Sequence, residues 1–173
     1  MPMQGCRPSR PFILGLFVVF TLLVFPFEGQ TRDLSGRLGI GMADHFLNGI
    51  PAVSFKLQRS SNYAIGALLG LRFSTDDSGG YAGGIKFYRM IFDEPNLNFY
   101  SMGALSLINV KSKTSSETGF QGDLGLGCEF HFNGLESLGF SFEFGVTLKR
   151  IYDEFTLESF GRNLIKAAVH FYL

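Results

Sequence analysis

Alternation of large apolar residues with polar or small residues is the dominant pattern of this chain, and its longest unbroken example runs over residues 139–149. Every second position of this stretch is large and apolar, namely Phe140, Phe142, Phe144, Val146 and Leu148. A period of two predicts a β-strand. Strands average ~5–6 residues, whereas a tilted strand that crosses a bilayer needs about 9–11. The length of this stretch therefore favours a strand that spans a membrane.

The preceding stretch repeats the pattern with charged residues on its polar face. Its apolar face carries Phe120, Leu124, Leu126, Cys128, Phe130 and Phe132. Its polar face carries Gln121, Asp123, Glu129, His131 and Asn133. In a water-soluble protein the apolar face would point into a core, but in an outer-membrane barrel it faces lipid while the polar face fills the lumen.

Turn-forming residues divide the chain after residue 30 into eight segments of this kind. The predicted strands are Leu34 to Ala43, Pro51 to Gln58, Tyr63 to Phe73, Gly80 to Phe92, Leu97 to Val110, Gly119 to Asn133, Leu138 to Tyr152 and Asn163 to Leu173. An even number is what bacterial single-chain barrels require. The sequence therefore predicts an all-β fold, a closed eight-stranded antiparallel up-and-down transmembrane β-barrel.

The connections between these segments alternate in length, as turns and external loops of such barrels do. The short connections are Arg59 to Asn62, Asp93 to Asn96 and Gly134 to Ser137. The longer ones are Asp44 to Ile50, Ser74 to Gly79, Lys111 to Thr118 and Asp153 to Arg162. Segments four and five fit the alternation least well, because Arg89 falls on the outward face and Asn109 and Val110 exchange faces. A β-bulge or a position at the headgroup level accounts for this.

Residues 1–30 differ from the rest, and we interpret them as a signal peptide that precedes a barrel of residues 31–173. Arg7 and Arg10 give a basic start, and an uncharged apolar run from Phe12 to Phe27 follows. This run is short for a spanning helix, and a polar, small-residue exit follows it. A retained signal-anchor helix is the alternative. A cleaved signal peptide would remove Cys6 and leave Cys128 as a thiol on the lipid-facing side.

Composition and charge support the same class. The chain has 22 Gly, 20 Phe and no Trp, which suits pleated strands and tight turns better than helices. Its formal net charge of zero gives no electrostatic reason to expect a nucleic-acid partner.

The inward-facing positions carry charges of both signs. The predicted network consists of Arg37, Lys56, Arg72, Lys86, Asp123, Glu129, Glu143, Lys149 and Lys166, with His131 and His170 as further partners. The bases come mainly from the first four segments and the acids from the sixth and seventh, so they are expected to face each other across the lumen. An eight-stranded barrel is just wide enough for side chains to fill it. We favour a structural plug over a narrow ion path.

At this point the mature chain resembles the small outer-membrane barrel families, of the type of outer membrane proteins A and X. The most specific element is the alternating C-terminus, Ile165, Ala167, Val169, Phe171 and Leu173. The resemblance implies that these residues form the signal read by the barrel-assembly machinery. It also implies a bacterial outer-membrane location, with membrane lipid and lipopolysaccharide as partners.

Candidate chemistry is confined to the predicted external loops. His45 lies in the first loop, and Asp77 and Ser78 lie in the second, so a nucleophile and a base could meet at the outer rim. This resembles the lipid A palmitoyltransferase only in the placement of residue types, and we favour ordinary turn chemistry as the explanation of the second loop. No metal site is expected, because His131 and His170 share no ligand spacing. No cofactor is expected either, because the glycine-rich stretches precede no predicted helix.

Three hypotheses for function follow. The first is a structural or interaction barrel of the outer membrane, with a side-chain-filled, ion-paired lumen and loops that contact lipopolysaccharide or another surface partner. The second is a lipid A-modifying acyl transferase or deacylase at the rim. The third is a soluble exported barrel that binds a ligand inside, as lipocalins do, which would reverse the inward and outward faces.

Overall fold

The computed structural model describes residues 34–46, 49–74, 79–111, 115–151, 154–160 and 165–173, and these form an antiparallel β-sheet. Within these ranges there are nine strands: β1 (Leu38–Ala43), β2 (Ala52–Gln58), β3 (Tyr63–Phe73), β4 (Gly79–Glu94), β5 (Leu97–Lys111), β6 (Ser116–Phe132), β7 (Leu135–Ile151), β8 (Glu154–Ser159) and β9 (Lys166–Tyr172). The predicted signal peptide, residues 1–30, lies outside the described residues.

The sheet closes on itself as a barrel of eight strand positions. Consecutive strands from β1 to β7 pair with one another, and β9 pairs with both β7 and β1. β8 and β9 lie along the same edge of β7, β8 opposite residues 146–151 and β9 opposite residues 138–143. Together they fill the eighth position. The predicted closed eight-stranded antiparallel barrel is therefore confirmed.

One predicted connection is wrong. Residues 153–162 were expected to be a loop, but β8 (Glu154–Ser159) lies inside this range and pairs with β7. Its two apolar residues, Phe155 and Leu157, alternate with charged or polar neighbours over only six residues. So short a pattern, flanked by glutamates, does not stand out from a polar loop. The other strands agree with their predicted segments to within four residues at each end.

The register gives the barrel its tilt. From Val53, the pairing through β1 and β9 leads to Phe140 on β7, whereas the pairing through β3, β4, β5 and β6 leads to Arg150. The two endpoints are ten residues apart on the same strand, which is the shear of the barrel. With eight strands this corresponds to a tilt of about 40°, within the usual range for closed barrels. The interior is accordingly narrow and is filled by side chains.

Two glycines stand where another residue would be strained or would clash. Gly134, in the two-residue turn between β6 and β7, has a φ of +85°, which suits the Asn-Gly hairpin turn. A Cβ on Gly41 would lie 1.7 Å from the carbonyl oxygen of Val169, so only glycine permits the observed spacing of β1 and β9. The strand that closes the barrel thus depends on Gly41.

The β4–β5 pair shows an irregularity next to Arg89, whereas its pairing is continuous at Asn109 and Val110, so the expected exchange of faces there is wrong. Its register shifts between Met90 and Phe92, directly after the exposed Arg89. We call the end of the barrel at which residues 44–51 connect β1 to β2 the loop end. The opposite end, with the two-residue connections 95–96 and 133–134, is the turn end.

Candidate functional site

The lumen contains a charge-balanced set of buried ionic side chains. Among the described residues, the buried ionised side chains are three lysines and three acids, namely Lys56, Lys86, Lys166, Asp123, Glu129 and Glu143. Every lysine lies opposite one acid, and each of these ion pairs joins strands that are not neighbours in the sheet. The pairs therefore cross the lumen and tie opposite walls together.

The middle of the lumen is built around Glu143 on β7. Its carboxylate accepts hydrogen bonds from Lys86 Nζ at 2.5 Å and from Tyr100 Oη at 2.9 Å. The Lys86 ammonium also lies 5.1 Å from the ring centre of Tyr88. An ion pair without water needs such additional hydrogen bonds and polarisable neighbours to offset the loss of solvation.

Glu129 on β6 organises the turn end of the lumen. Its carboxylate accepts hydrogen bonds from Lys56 Nζ at 2.7 Å, from Tyr172 Oη at 2.7 Å and from Ser141 Oγ at 3.2 Å. His170 lies beside it, and its Nε2 is 2.8 Å from Ser54 Oγ. Four strands thus meet at one carboxylate.

Asp123 on β6 organises the loop end of the lumen. It accepts hydrogen bonds from Lys166 Nζ at 2.9 Å, from Gln121 Nε2 at 2.8 Å and from Thr147 Oγ1. His45 Nε2 lies 2.9 Å from Oδ2, the carboxylate oxygen that also accepts from Gln121. The connection between β1 and β2 is therefore joined to the far wall of the barrel.

This connection turns into the lumen instead of standing above it. Phe46 and Ile50 are buried, and they pack with Ala52, Leu68, Ala82 and Ile108 in an apolar cluster inside the wall. Gly70 leaves the space that they occupy, since an added Cβ would lie 2.8 Å from both Ile50 and Phe46. We call His45, Phe46 and Ile50 the mouth plug.

The mouth plug corrects the prediction for His45. The sequence places His45 at an exposed rim as a candidate base, but its side chain is 1 % exposed and faces Asp123. Burial lowers its pKa to about 4, and the nearby ammonium of Lys86 acts in the same direction. A neutral imidazole enclosed in the lumen does not meet a substrate at the surface. Asp77 and Ser78, the other two candidates, lie outside the described residues.

A second insertion, by Phe160, was missed by the sequence reasoning. Phe160 follows β8 and is fully buried with Ala64, Tyr88, Tyr100, Met102 and Ala104. The Lys166 ammonium lies 4.3 Å from its ring centre. Its backbone N–H donates to the carbonyl of Gly145, and its ring lies where a Cβ on Gly125 would stand. The signal in the sequence is Gly125, an inward-facing glycine. Its lack of a side chain leaves a space in the lumen for a large side chain from another part of the chain.

The remaining predicted members of the lumen network lie towards the ends of the barrel. Arg37 and Arg72 are exposed. Lys149 pairs with Glu158 of β8 at 3.0 Å, and both side chains are partly exposed. Arg37 and Arg72 are therefore not enclosed by the lumen, contrary to their prediction, whereas Lys149 forms its ion pair at the loop end of the inward face of β7.

The residues of the predicted assembly signal lie on the outer face of the closing strand. Val169 and Phe171 of β9 are exposed, as are Ala167 and the flanking Ile165 and Leu173. The alternate residues, which include Lys166 and His170, point into the lumen. The alternation of this segment thus has the register that the sequence predicts.

The outer surface carries many large apolar side chains. The described residues include 31 exposed large hydrophobic side chains, of which Met42, Leu69, Ile85, Leu105, Leu124 and Val146 are examples from six strands. This arrangement is the reverse of a lipocalin-like barrel, which would hold its apolar residues inside. The soluble ligand-binding alternative is therefore contradicted by the orientation of the faces.

Aromatic pairs border this apolar surface. Towards the turn end, the rings of Tyr63 and Phe87 stack, as do those of Phe92 and Phe99. Towards the loop end, Phe120 contacts Phe155 edge to face, and the Arg150 guanidinium lies 5.2 Å from the Phe155 ring centre. Aromatic girdles on both sides of an apolar band are typical of transmembrane barrels.

No helix in the described residues has the length and apolar character that a membrane-spanning helix needs. The same residues also contain no group of three or more His, Cys, Asp or Glu side chains arranged to hold a metal ion.

Comparison with solved structures places the fold among known barrels. The chain is similar to the N-terminal β-barrel domain of OprF from Pseudomonas aeruginosa, with a TM-score of 0.60 and 10 % sequence identity. The match covers 80 % of this chain and 98 % of that one. No protein-family model and no curated protein sequence matches the chain. The likeness at this identity is one of fold.

Proposed function

We propose that this protein is a bacterial outer-membrane β-barrel with a structural or interaction role, exported through a signal peptide in residues 1–30. The observation that carries the proposal is the inverted distribution of polarity, with hydrocarbon side chains outside and paired charges inside. Such a surface in water would expose far more contiguous apolar area than soluble monomers tolerate. A surrounding bilayer removes that cost.

The lumen network acts in this proposal as a plug that fixes register and excludes solutes. Three cross-lumen ion pairs, the mouth plug and Phe160 occupy successive levels of a barrel whose shear leaves a narrow interior. Ion pairs that hold fixed partners favour a plug over a conduction path.

The orientation in the membrane follows the usual rule for such barrels. Short turns face the periplasm and longer connections face the outside, so the loop end lies at the cell surface. There it meets lipopolysaccharide or another surface partner. The outward face of residues 165–173 meets the barrel-assembly machinery before insertion.

Refolding into lipid vesicles tests the proposal. The purified chain is expected to fold into phosphatidylcholine vesicles and to migrate faster on a detergent gel when unheated than when boiled. In cells it is expected in the outer-membrane fraction. A chain that stays soluble without detergent and shows no heat-dependent shift would overturn the proposal.

The plug has its own test in planar bilayers. Protein that shows the heat-dependent shift is expected to give no reproducible conductance steps. Steady steps of one size would instead establish an ion path through the lumen.

A further inference from the structure

An apolar groove on the outer wall is not accounted for by the plugged lumen. It has a volume of about 970 Å³ and lies across β3, β4, β5 and β6 near the loop end. Its outward-facing walls are formed by Leu69, Leu71, Tyr81, Ile85, Leu105, Leu107 and Phe120. Every residue of these walls lies within the described ranges.

The floor of the groove is formed by a glycine, Gly83, which has no side chain. Gly83 on β4 lies in register between Leu69 on β3 and Leu107 on β5, and Tyr81 and Ile85 flank it along its own strand. A Cβ added to Gly83 would find its nearest neighbour 3.9 Å away, at Leu69 Cδ2. The position thus has room for a side chain, and no neighbour fills the space from the side.

Polar and cationic groups lie beyond the end of the groove that is formed by Tyr81 and Phe120. Asn109 follows Leu107 on the same face of β5 and donates hydrogen bonds to Ser116 Oγ and Thr118 Oγ1. Lys111 is exposed at the end of β5, in register with Ser116. Two residues along a strand span about 6.6 Å, so these groups continue directly from the groove towards the loop end.

We propose that this groove binds one acyl chain of an anionic membrane lipid and that Lys111 binds the phosphate of the same lipid. The inference rests on the proposed function, because the groove faces hydrocarbon only in a membrane-inserted barrel. An apolar trough that ends at a hydroxyl cluster and an ammonium matches the order of groups in a phospholipid, with tail, ester region and phosphate. The cation distinguishes this occupant from the flat apolar face of a second copy of the chain.

Native mass spectrometry of the folded protein in detergent, titrated with phosphatidylglycerol or phosphatidylcholine, tests this inference. The unchanged protein is expected to retain one phosphatidylglycerol more tightly than it retains phosphatidylcholine. Gly83→Leu fills the floor and is expected to weaken phosphatidylglycerol binding about tenfold or more. Lys111→Gln is expected to abolish the preference for the anionic lipid while binding of phosphatidylcholine is unchanged.

The matched control is Gly103→Leu. Gly103 is an outward-facing glycine of β5 outside the groove, and an added Cβ would stand 3.5 Å from its nearest neighbour. It is expected to leave lipid binding unchanged. Equal affinity of the unchanged protein and Gly83→Leu, equal loss in the Gly103→Leu control, or a groove occupied by a second copy in a lipid-free dimer would each overturn the inference.

The gel shift on heating, recorded on the same samples, distinguishes failure of the groove proposal from failure of the membrane-barrel proposal. A folded, heat-modifiable protein that binds lipid indifferently to Gly83→Leu refutes the groove alone. A protein without the heat-dependent shift refutes the membrane barrel itself.

Discussion

Replacement of Glu143 by glutamine is the most informative perturbation of the lumen. It removes the negative charge that faces Lys86 and leaves an ammonium enclosed in a part of the barrel where its side chain is 3 % exposed. Removal of one partner of a buried pair typically costs about 3–5 kcal/mol, because the other charge stays buried without compensation. Glu143→Gln is therefore expected to lower the free energy of unfolding by about that amount.

The exposed pair of Lys149 and Glu158 supplies the matched control. Its partners are separated by 3.0 Å, but their side chains are 24 % and 33 % exposed. Exposed pairs contribute about 0–1 kcal/mol, so Glu158→Gln is expected to change stability by no more than that. The two substitutions are chemically identical, and the difference between them measures the effect of burial.

The double variant Lys86→Met with Glu143→Gln shows how much of the stability loss comes from the lost attraction and how much from a buried ammonium without a partner. Because it removes the uncompensated ammonium, it is expected to recover a large part of the stability that Glu143→Gln loses. Unfolding in urea is followed in vesicles by circular dichroism and by the fraction of protein that keeps the heat-dependent gel shift, since the chain has no Trp to report by fluorescence. A cost for Glu143→Gln no larger than that for Glu158→Gln would refute the reasoning.

Three further outcomes are expected. Phe160→Ala should lower the free energy of unfolding by about 3–5 kcal/mol, while Phe155→Ala on the exposed face of β8 should cost much less; equal costs in urea titrations would contradict the insertion of Phe160. His45 has a folded-state pKa of about 4, below its unfolded value of 6.5, so the unfolded chain binds more protons and stability should fall as pH drops from about 6.5 to 4. His45→Gln should flatten this slope of the urea midpoint against pH, and an unchanged slope would speak against a buried imidazole. Gly70→Val should expel the mouth plug and speed chymotryptic cleavage after Phe46, relative to Gly103→Leu, and equal cleavage rates would argue against a seated plug.

The strands and their faces are the part of the fold that the sequence predicts best. In a lipid-facing strand, outward apolar residues alternate with inward polar or small residues. The predicted bounds of β3, Tyr63–Phe73, agree with the structure at both ends. The same alternation places Lys56, Lys86 and Lys166 opposite acids of β6 and β7. Which acid each base meets depends on the shear with which the barrel closes. The shear is not visible in a single sequence.

The insertions into the lumen are the part that local patterns could not predict. His45 and Phe160 lie in segments that the sequence assigns to connections between strands, residues 44–50 and 153–162. Their burial depends on empty positions far away in the sequence, at Gly70 for the mouth plug and at Gly125 for Phe160. A glycine on the inward face of a strand can equally serve curvature or close packing. Only the closed barrel shows which side chain enters the space.

Quenching of a single introduced tryptophan by brominated lipid tests the central claim most directly, namely that the apolar face meets lipid and the polar face does not. Phe144→Trp places the indole on the outer wall, and Tyr100→Trp places it in the lumen. In vesicles of brominated phosphatidylcholine, we predict strong quenching for Phe144→Trp and little for Tyr100→Trp, both checked for the heat-dependent gel shift. Strong quenching of the lumen tryptophan with little quenching of the outer one would contradict the account.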